Sequence, residues 1–87
     1  MTDMTRLGAV GLGYVGLPLS IAMHRAGYEV VGVDVNTETV ERLQNGESTV
    51  SVSDISDSDV AAAVEEGITF TTEYGALADV DGVSICV

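Results

Sequence analysis

The residues able to do chemistry in this chain are few, and most of them are glycines. Gly11, Gly13 and Gly16 stand at the spacing G-x-G-x-x-G in the run Gly11-Leu12-Gly13-Tyr14-Val15-Gly16. The run follows a short apolar segment, Leu7 to Val10, and leads into a long one, Leu17 to Ala26. A strand, a glycine turn and a helix in that order can cradle a pyrophosphate. Gly11 permits the tight turn, Gly13 lets the backbone approach the phosphates, and Gly16 lets the helix pack closely on the strand. The first helical turn then presents unpaired N–H groups and the positive end of the helix dipole to an anion. The second group is Asp34, eighteen residues after Gly16 and at the end of the apolar run Glu29 to Val33. An acid at about this distance from the glycines meets the adenosine ribose. Its carboxylate can accept from both ribose hydroxyls and would repel a 2′-phosphate, which favours NAD over NADP. His24 has no carboxylate or nucleophile near it in sequence, and a structural role is expected for it.

The elements that must position these groups are readable in turn. Thr5 to Val10 is expected as a central strand. The helix after the loop is expected to begin at Tyr14 or Val15 and run to Ala26. Pro18 falls in its first turn, where a missing N–H costs nothing. Leu17, Ile21 and Ala22 form its sheet-facing stripe, His24 and Arg25 complement its dipole, and Gly27 caps it. After the second strand, Asn36 or Thr37 caps a helix through Val40 and Leu43 that stops at Asn45-Gly46. Residues 47–54 are polar and read as a surface connection with a short extended piece. Ser56 with Asp59 makes a variant capping box, with Ile55 and Val60 as a hydrophobic staple. That helix ends at Gly67. Ile68 to Thr72 reads as a third strand, Glu73 to Ala78 as a short helix or turn, and Gly82 to Val87 as a fourth strand, apolar and buried.

Helices between consecutive strands argue an α/β fold with a parallel sheet covered on both faces. Right-handed crossovers give a Rossmann-like doubly wound sheet of order 3-2-1-4, truncated after about four strands, with a crevice between strands one and four. The fourth strand then lies at an edge with an apolar face uncovered, which predicts poor stability of the chain alone.

Composition narrows the class. Eighty-seven residues make one small domain, 46% apolar and with no uninterrupted apolar run long enough to span a membrane. The segment Met1 to Arg6 has no signal-peptide core, and the single cysteine, Cys86, suits a reducing cytoplasm, where the protein is expected to reside. Three arginines and no lysine face fourteen carboxylates, a net charge of −11. Such a surface repels nucleic acid and anionic lipid, and the absence of lysine points to adaptation to a salt-rich, halophilic cytoplasm. Asp54, Asp57 and Asp59 alternate somewhat like a calcium loop but lack its glycine and distal glutamate, so no metal site is expected.

With these residues placed, the stretch Gly11 to Leu19 resembles the amino-terminal motif of the nucleotide-sugar 6-dehydrogenases, the UDP-glucose and GDP-mannose dehydrogenase family. Val33-Asp34 with Val40 and Leu43, Asn45-Gly46-Glu47-Ser48, Phe70-Thr71-Thr72-Glu73, Ala78-Asp79-Val80 and Ile85-Cys86-Val87 agree in order and spacing. The segment after Gly46 lacks the Glu-Pro-Gly pattern of UDP-glucose enzymes and looks more like the branch acting on UDP-N-acetylhexosamines. The resemblance implies that residues 1–87 are the N-terminal part of an NAD-binding domain. Gly11, Gly13, Tyr14, Val15, Gly16 and Asp34 would then bind NAD, Tyr14 and Val15 largely through backbone. Thr39 stands where many relatives carry a basic residue toward the cofactor. Such enzymes oxidise the C6 alcohol of a UDP-sugar twice, through a thiohemiacetal on a cysteine, to a uronic acid for polysaccharide biosynthesis. That cysteine and the substrate domain are expected outside these residues, so no catalytic residue is expected among them. Cys86 matches a buried strand cysteine instead. The parent enzyme is expected to be a homo-oligomer. Two other readings share the glycine loop: β-hydroxyacid dehydrogenases, which favour methionine where Val15 stands, and the nucleotide-sensing domains of potassium transport proteins, whose Gly-Asp-Ala-Thr type segment is missing from 47–53.

Overall fold

The computed structural model describes residues 5–13, 15–48 and 55–86. The elements follow the order β1 (Arg6–Val10), α1 (Gly16–Arg25), β2 (Glu29–Val33), α2 (Thr37–Gln44), α3 (Asp57–Glu66), β3 (Thr69–Thr71), a 3-10 turn (Tyr74–Leu77) and β4 (Gly82–Ile85). The four strands form one parallel sheet in the order β3-β2-β1-β4, as the pattern of crossovers requires. The strand order therefore reverses between β1 and β4, beside the turn at Gly11.

Local chemistry explains the boundaries. Asn36 is the N-cap of α2 and accepts the Thr39 N–H at 3.1 Å. Ser56 and Asp59 complete a reciprocal capping box at the start of α3. Each helix stops at a glycine: after α1, Gly27 N–H donates to His24 C=O and Tyr28 N–H to Met23 C=O, the paired bonds of a Schellman ending. The helix α1 is shorter at both ends than expected, since Val15 is its N-cap and Ala26 its C-cap. The polar connection 49–54 and its expected extended piece, like Tyr14, Asp54 and Val87, lie outside the described residues.

The core lies on one face of the sheet. Leu17 and Ile21 of α1, Val40 and Leu43 of α2, and Val60 and Ala63 of α3 close over Val30 and Phe70, with Ile55 packed at the margin. The expected stripe on α1 needs one correction. Ala22 is exposed, and Ser20 is buried in its place. The close approach of Gly16 turns the face bearing residues 16, 17, 20 and 21 toward the sheet. Ser20 tolerates that burial because its hydroxyl donates to the Gly16 carbonyl at 2.7 Å.

The opposite face is only partly covered, which corrects the expectation of cover on both faces. Side chains alternate across a strand, so Gly8 faces away from its neighbour Ala9. A Cβ on Gly8 would meet Leu77, Val83 and Val80, the residues of the 3-10 turn and β4 on that side. A single short turn cannot cover four strands. Val83 and Ile85 are accordingly 48% and 71% exposed, so β4 is not the buried strand its apolar sequence suggests. It forms the edge with an open apolar face.

Candidate functional site

The chain turns at Gly11 between the ends of three strands. Its N–H donates to Val33 C=O at 2.8 Å, carrying the β1–β2 ladder one residue beyond β1. On the other side Cys86 N–H donates to Val10 C=O at 2.8 Å, extending the β1–β4 ladder. Gly11 has φ of +93°, and a Cβ there would run into the Cys86 carbonyl oxygen. Both facts demand glycine. Leu12 then drops its side chain into the core, 1% exposed, beneath the turn.

Gly13 is different in kind. Nothing lies within 4 Å of the position its Cβ would take, so the backbone is bare toward solvent. Its carbonyl accepts the Leu17 N–H at 3.1 Å and starts the helix. At Gly16 the helix meets the turn so closely that a Cβ would run into the Gly11 carbonyl oxygen. The start of α1 has no side-chain cap and no acidic residue in its first turn. Among the described residues, the N–H groups of Val15 and Gly16 find no acceptor. Unpaired N–H groups, a ten-residue helix dipole and a bare glycine backbone together make a cradle for an anion.

Asp34 follows β2 directly and lies half-buried beside this turn. Its Oδ2 accepts the Leu12 N–H at 2.8 Å and its Oδ1 the Asn36 N–H at 2.9 Å. A carboxylate oxygen can accept more than one bond, so each still offers a lone pair to a hydroxyl donor. The structure thus brings Gly11, Gly13, Val15, Gly16 and Asp34 to one end of the sheet; Tyr14 lies outside the described residues. The backbone partners of Asp34 were not legible in the sequence.

Cys86 is half-buried, not fully buried, and lies at the strand reversal, with its Cβ 3.4 Å from where a Gly16 Cβ would stand. Thr39 occupies the first turn of α2, its N–H held by Asn36. His24 pairs with Glu66 at 2.8 Å, a carboxylate supplied by α3, and Arg25 pairs with Asp59 at 2.7 Å. His24, Arg25 and Glu66, with Tyr28 and Glu29, line a concavity at the carboxyl ends of α1 and α3, the far end of the sheet from Gly11. The helix dipoles there present their negative ends, and the His24 and Arg25 side chains hydrogen-bond to carboxylates of α3, so the contacts at the concavity are structural. Among the described residues no three potential metal ligands cluster. No helix among them is long and apolar enough to cross a membrane.

A parallel sheet that reverses order beside a glycine turn, an uncapped helix start and an acid at the end of the second strand define a Rossmann-type dinucleotide-binding domain. Residues 5–87 match the NAD binding domain of the UDP-glucose/GDP-mannose dehydrogenase family, and the chain belongs to that family. The cofactor of this domain is NAD. A UDP-N-acetyl-D-mannosamine dehydrogenase of Methanococcus maripaludis is 49% identical over 45 residues, 52% of this chain and 10% of that protein. The solved UDP-D-ManNAc dehydrogenase of Pyrococcus horikoshii superposes with a TM-score of 0.88 at 28% identity, over 95% of this chain and 20% of that one. The UDP-N-acetyl-mannosamine dehydrogenase of Staphylococcus aureus superposes with a TM-score of 0.84 at 32% identity, again over 95% and 20%. The chain therefore spans about a tenth of that curated relative and a fifth of these solved chains.

Proposed function

We propose that this chain is the amino-terminal portion of the NAD-binding domain of a dehydrogenase that oxidises the C6 alcohol of a UDP-N-acetylhexosamine to the uronic acid. The observation that carries the cofactor half of this reading is the Asp34 carboxylate bound to the Leu12 N–H, next to the bare Gly13 backbone and at the same end of the sheet as the Val15 and Gly16 N–H groups, which find no acceptor among the described residues. In it, Gly11, Gly13, Tyr14, Val15 and Gly16 receive the pyrophosphate and Asp34 receives the adenosine ribose. The fit is chemical: N–H donors and a positive dipole meet the phosphates, and acceptor lone pairs meet the diol. Bound NAD supplies the hydride acceptor for alcohol oxidation. The residues of this chain bind and orient it, and the nucleophile, the base and the sugar site belong to other parts of a longer enzyme. A share of a fifth or less of the relatives' length supports that division, and the names of the relatives support the sugar.

Calorimetric titration of the chain with NAD and NADP tests the cofactor half, with binding of NAD and at least tenfold weaker NADP as the expected result, in keeping with about 1.4 kcal/mol or more of repulsion. Equal affinities would remove Asp34 from the ribose. The sugar is tested on the longer parent enzyme by following NADH formation with UDP-N-acetylmannosamine, UDP-N-acetylglucosamine, UDP-glucose and GDP-mannose. A preference for UDP-glucose or GDP-mannose sinks the proposed branch.

A further inference from the structure

We infer that Asp34 is a positioning residue for the glycine turn as well as an acceptor for the ribose, so that phosphate and nucleoside recognition are coupled through one side chain. This rests on the cofactor reading above and goes beyond it. The acceptor of the Leu12 N–H is Asp34 Oδ2, at 2.8 Å across a sequence separation of twenty-two residues. Leu12 stands between Gly11 and Gly13, the two residues with the widest backbone freedom in the turn. Its side chain is anchored below by burial, and its N–H is anchored above by Asp34. The second oxygen is tied by the Asn36 N–H, so the carboxylate is held at both ends. A turn confined to residues 34–36 would explain the Asn36 bond; it does not account for a bond to Leu12.

Two consequences follow from the same geometry. The tethers occupy one lone pair on each oxygen and leave the others for the diol, so the two roles coexist. The carboxylate also cannot swing aside for a 2′-phosphate without releasing the turn. Replacing Asp34 alone with a small residue therefore does not convert the site to NADP, because it loosens the phosphate cradle as it removes the repulsion.

The test separates the roles by ligand. Parent, Asp34→Ala and Asp34→Asn chains are titrated with ADP and with 2′,3′-dideoxy-ADP, which keeps the pyrophosphate and lacks both ribose hydroxyls. The expected result is that Asp34→Ala weakens dideoxy-ADP by about tenfold, the scale of one charge-assisted hydrogen bond. A change under twofold for dideoxy-ADP with a large loss for ADP overturns the positioning role and keeps the ribose role. Binding of neither ligand by the parent overturns the cofactor reading itself. Ser56→Ala, which loosens α3 away from the turn, is expected to leave both affinities unchanged, and an equal loss there assigns the effect to general loosening and overturns the proposal. Amide exchange needs no ligand: in Asp34→Asn, with an NH2 group set against one of the two N–H donors, the Leu12 amide is expected to exchange about tenfold faster. Unchanged exchange overturns the proposal.

Discussion

Gly16→Ala distinguishes close packing from ordinary helix chemistry by the sign of its effect. On helix propensity alone alanine improves on glycine by about 1 kcal/mol. Here the added methyl runs into the Gly11 carbonyl oxygen, with the Gly11 carbonyl carbon at 2.7 Å and the Cys86 Cβ at 3.4 Å. None of these is the free end of a flexible side chain. The Gly11 peptide is pinned by its N–H to Val33 and, one residue on, by the Leu12 N–H to Asp34. The helix must withdraw instead, and overpacking of this kind costs about 1–3 kcal/mol. A domain of this size holds only a few kcal/mol in reserve, so the loss is a large share of the total. Withdrawal also takes the helix N–H groups away from the phosphates, and losing one charge-assisted bond weakens NAD by about ten- to a hundredfold.

Gly13→Ala is the matched control, because nothing lies within 4 Å of its Cβ. Its stability is expected to stay within about 0.5 kcal/mol of the parent. Its NAD affinity is expected to fall on the same scale as for Gly16→Ala, since the methyl fills the space a phosphate must enter. Urea unfolding followed by circular dichroism gives the stabilities, and calorimetry the affinities. A Gly16→Ala chain more stable than the parent refutes the packing argument. A Gly13→Ala chain that binds NAD unchanged refutes the path of the phosphates.

Three further outcomes are expected. Gln44 donates from Nε2 to the Phe70 carbonyl at 2.8 Å, covering a group on the edge strand β3, and Gln44→Ala is expected to cost about 1 kcal/mol in urea unfolding; an unchanged midpoint would show that water serves equally well. Hydrogen bonding from Arg6 holds the Glu29 carboxyl below its ordinary range, and the Ser56 backbone N–H and hydroxyl, then Arg25, do the same for Asp59. Folded values below unfolded values of about 4 give stability that is present at neutral pH and lost as pH falls through the folded values. A Glu29→Gln, Asp59→Asn chain should show a shallower acid limb below about pH 4, and superimposable limbs would remove both contributions. Each arginine already pairs with a carboxylate, Arg6 with Glu29, Arg25 with Asp59 and Arg42 with Glu47, while the net charge is −11. Added KCl should therefore raise the thermal midpoint by screening the excess carboxylates, with maximal stability at low salt as the contrary result.

What the sequence made legible was what local chemistry decides. The glycine spacing, the Asn36 and Ser56 caps and the strand order all follow from backbone requirements that a few residues meet in place. The stripe on α1 was legible at Leu17 and Ile21 but not at its flank, because helical period alone cannot tell a 17–21 face flanked by Ser20 from one flanked by Ala22. The choice falls to the depth at which Gly16 meets β1, a tertiary fact, and Ser20 hides its polarity by bonding its own helix. β4 misled for a related reason. An apolar run implies burial only if both sheet faces are covered, and the connection after β3 forms a single 3-10 turn over Gly8. Asp34 was legible by distance along the chain, yet its hold on Leu12 needed the turn to fold back across β2.

On the proposed reading, the site recognises phosphate with backbone and the ribose with one side chain. Backbone N–H groups are the same in every sequence, so on that reading the phosphate half depends on glycines at three positions, while Leu12 is constrained by its burial in the core. The Asp34 charge, on the same reading, repels a 2′-phosphate and its lone pairs take the diol, while its two oxygens accept the Leu12 and Asn36 N–H groups. On this reading the cradle's own selectivity stops at the adenosine diphosphate half of the cofactor, and discrimination among nucleotide sugars is assigned to residues outside it.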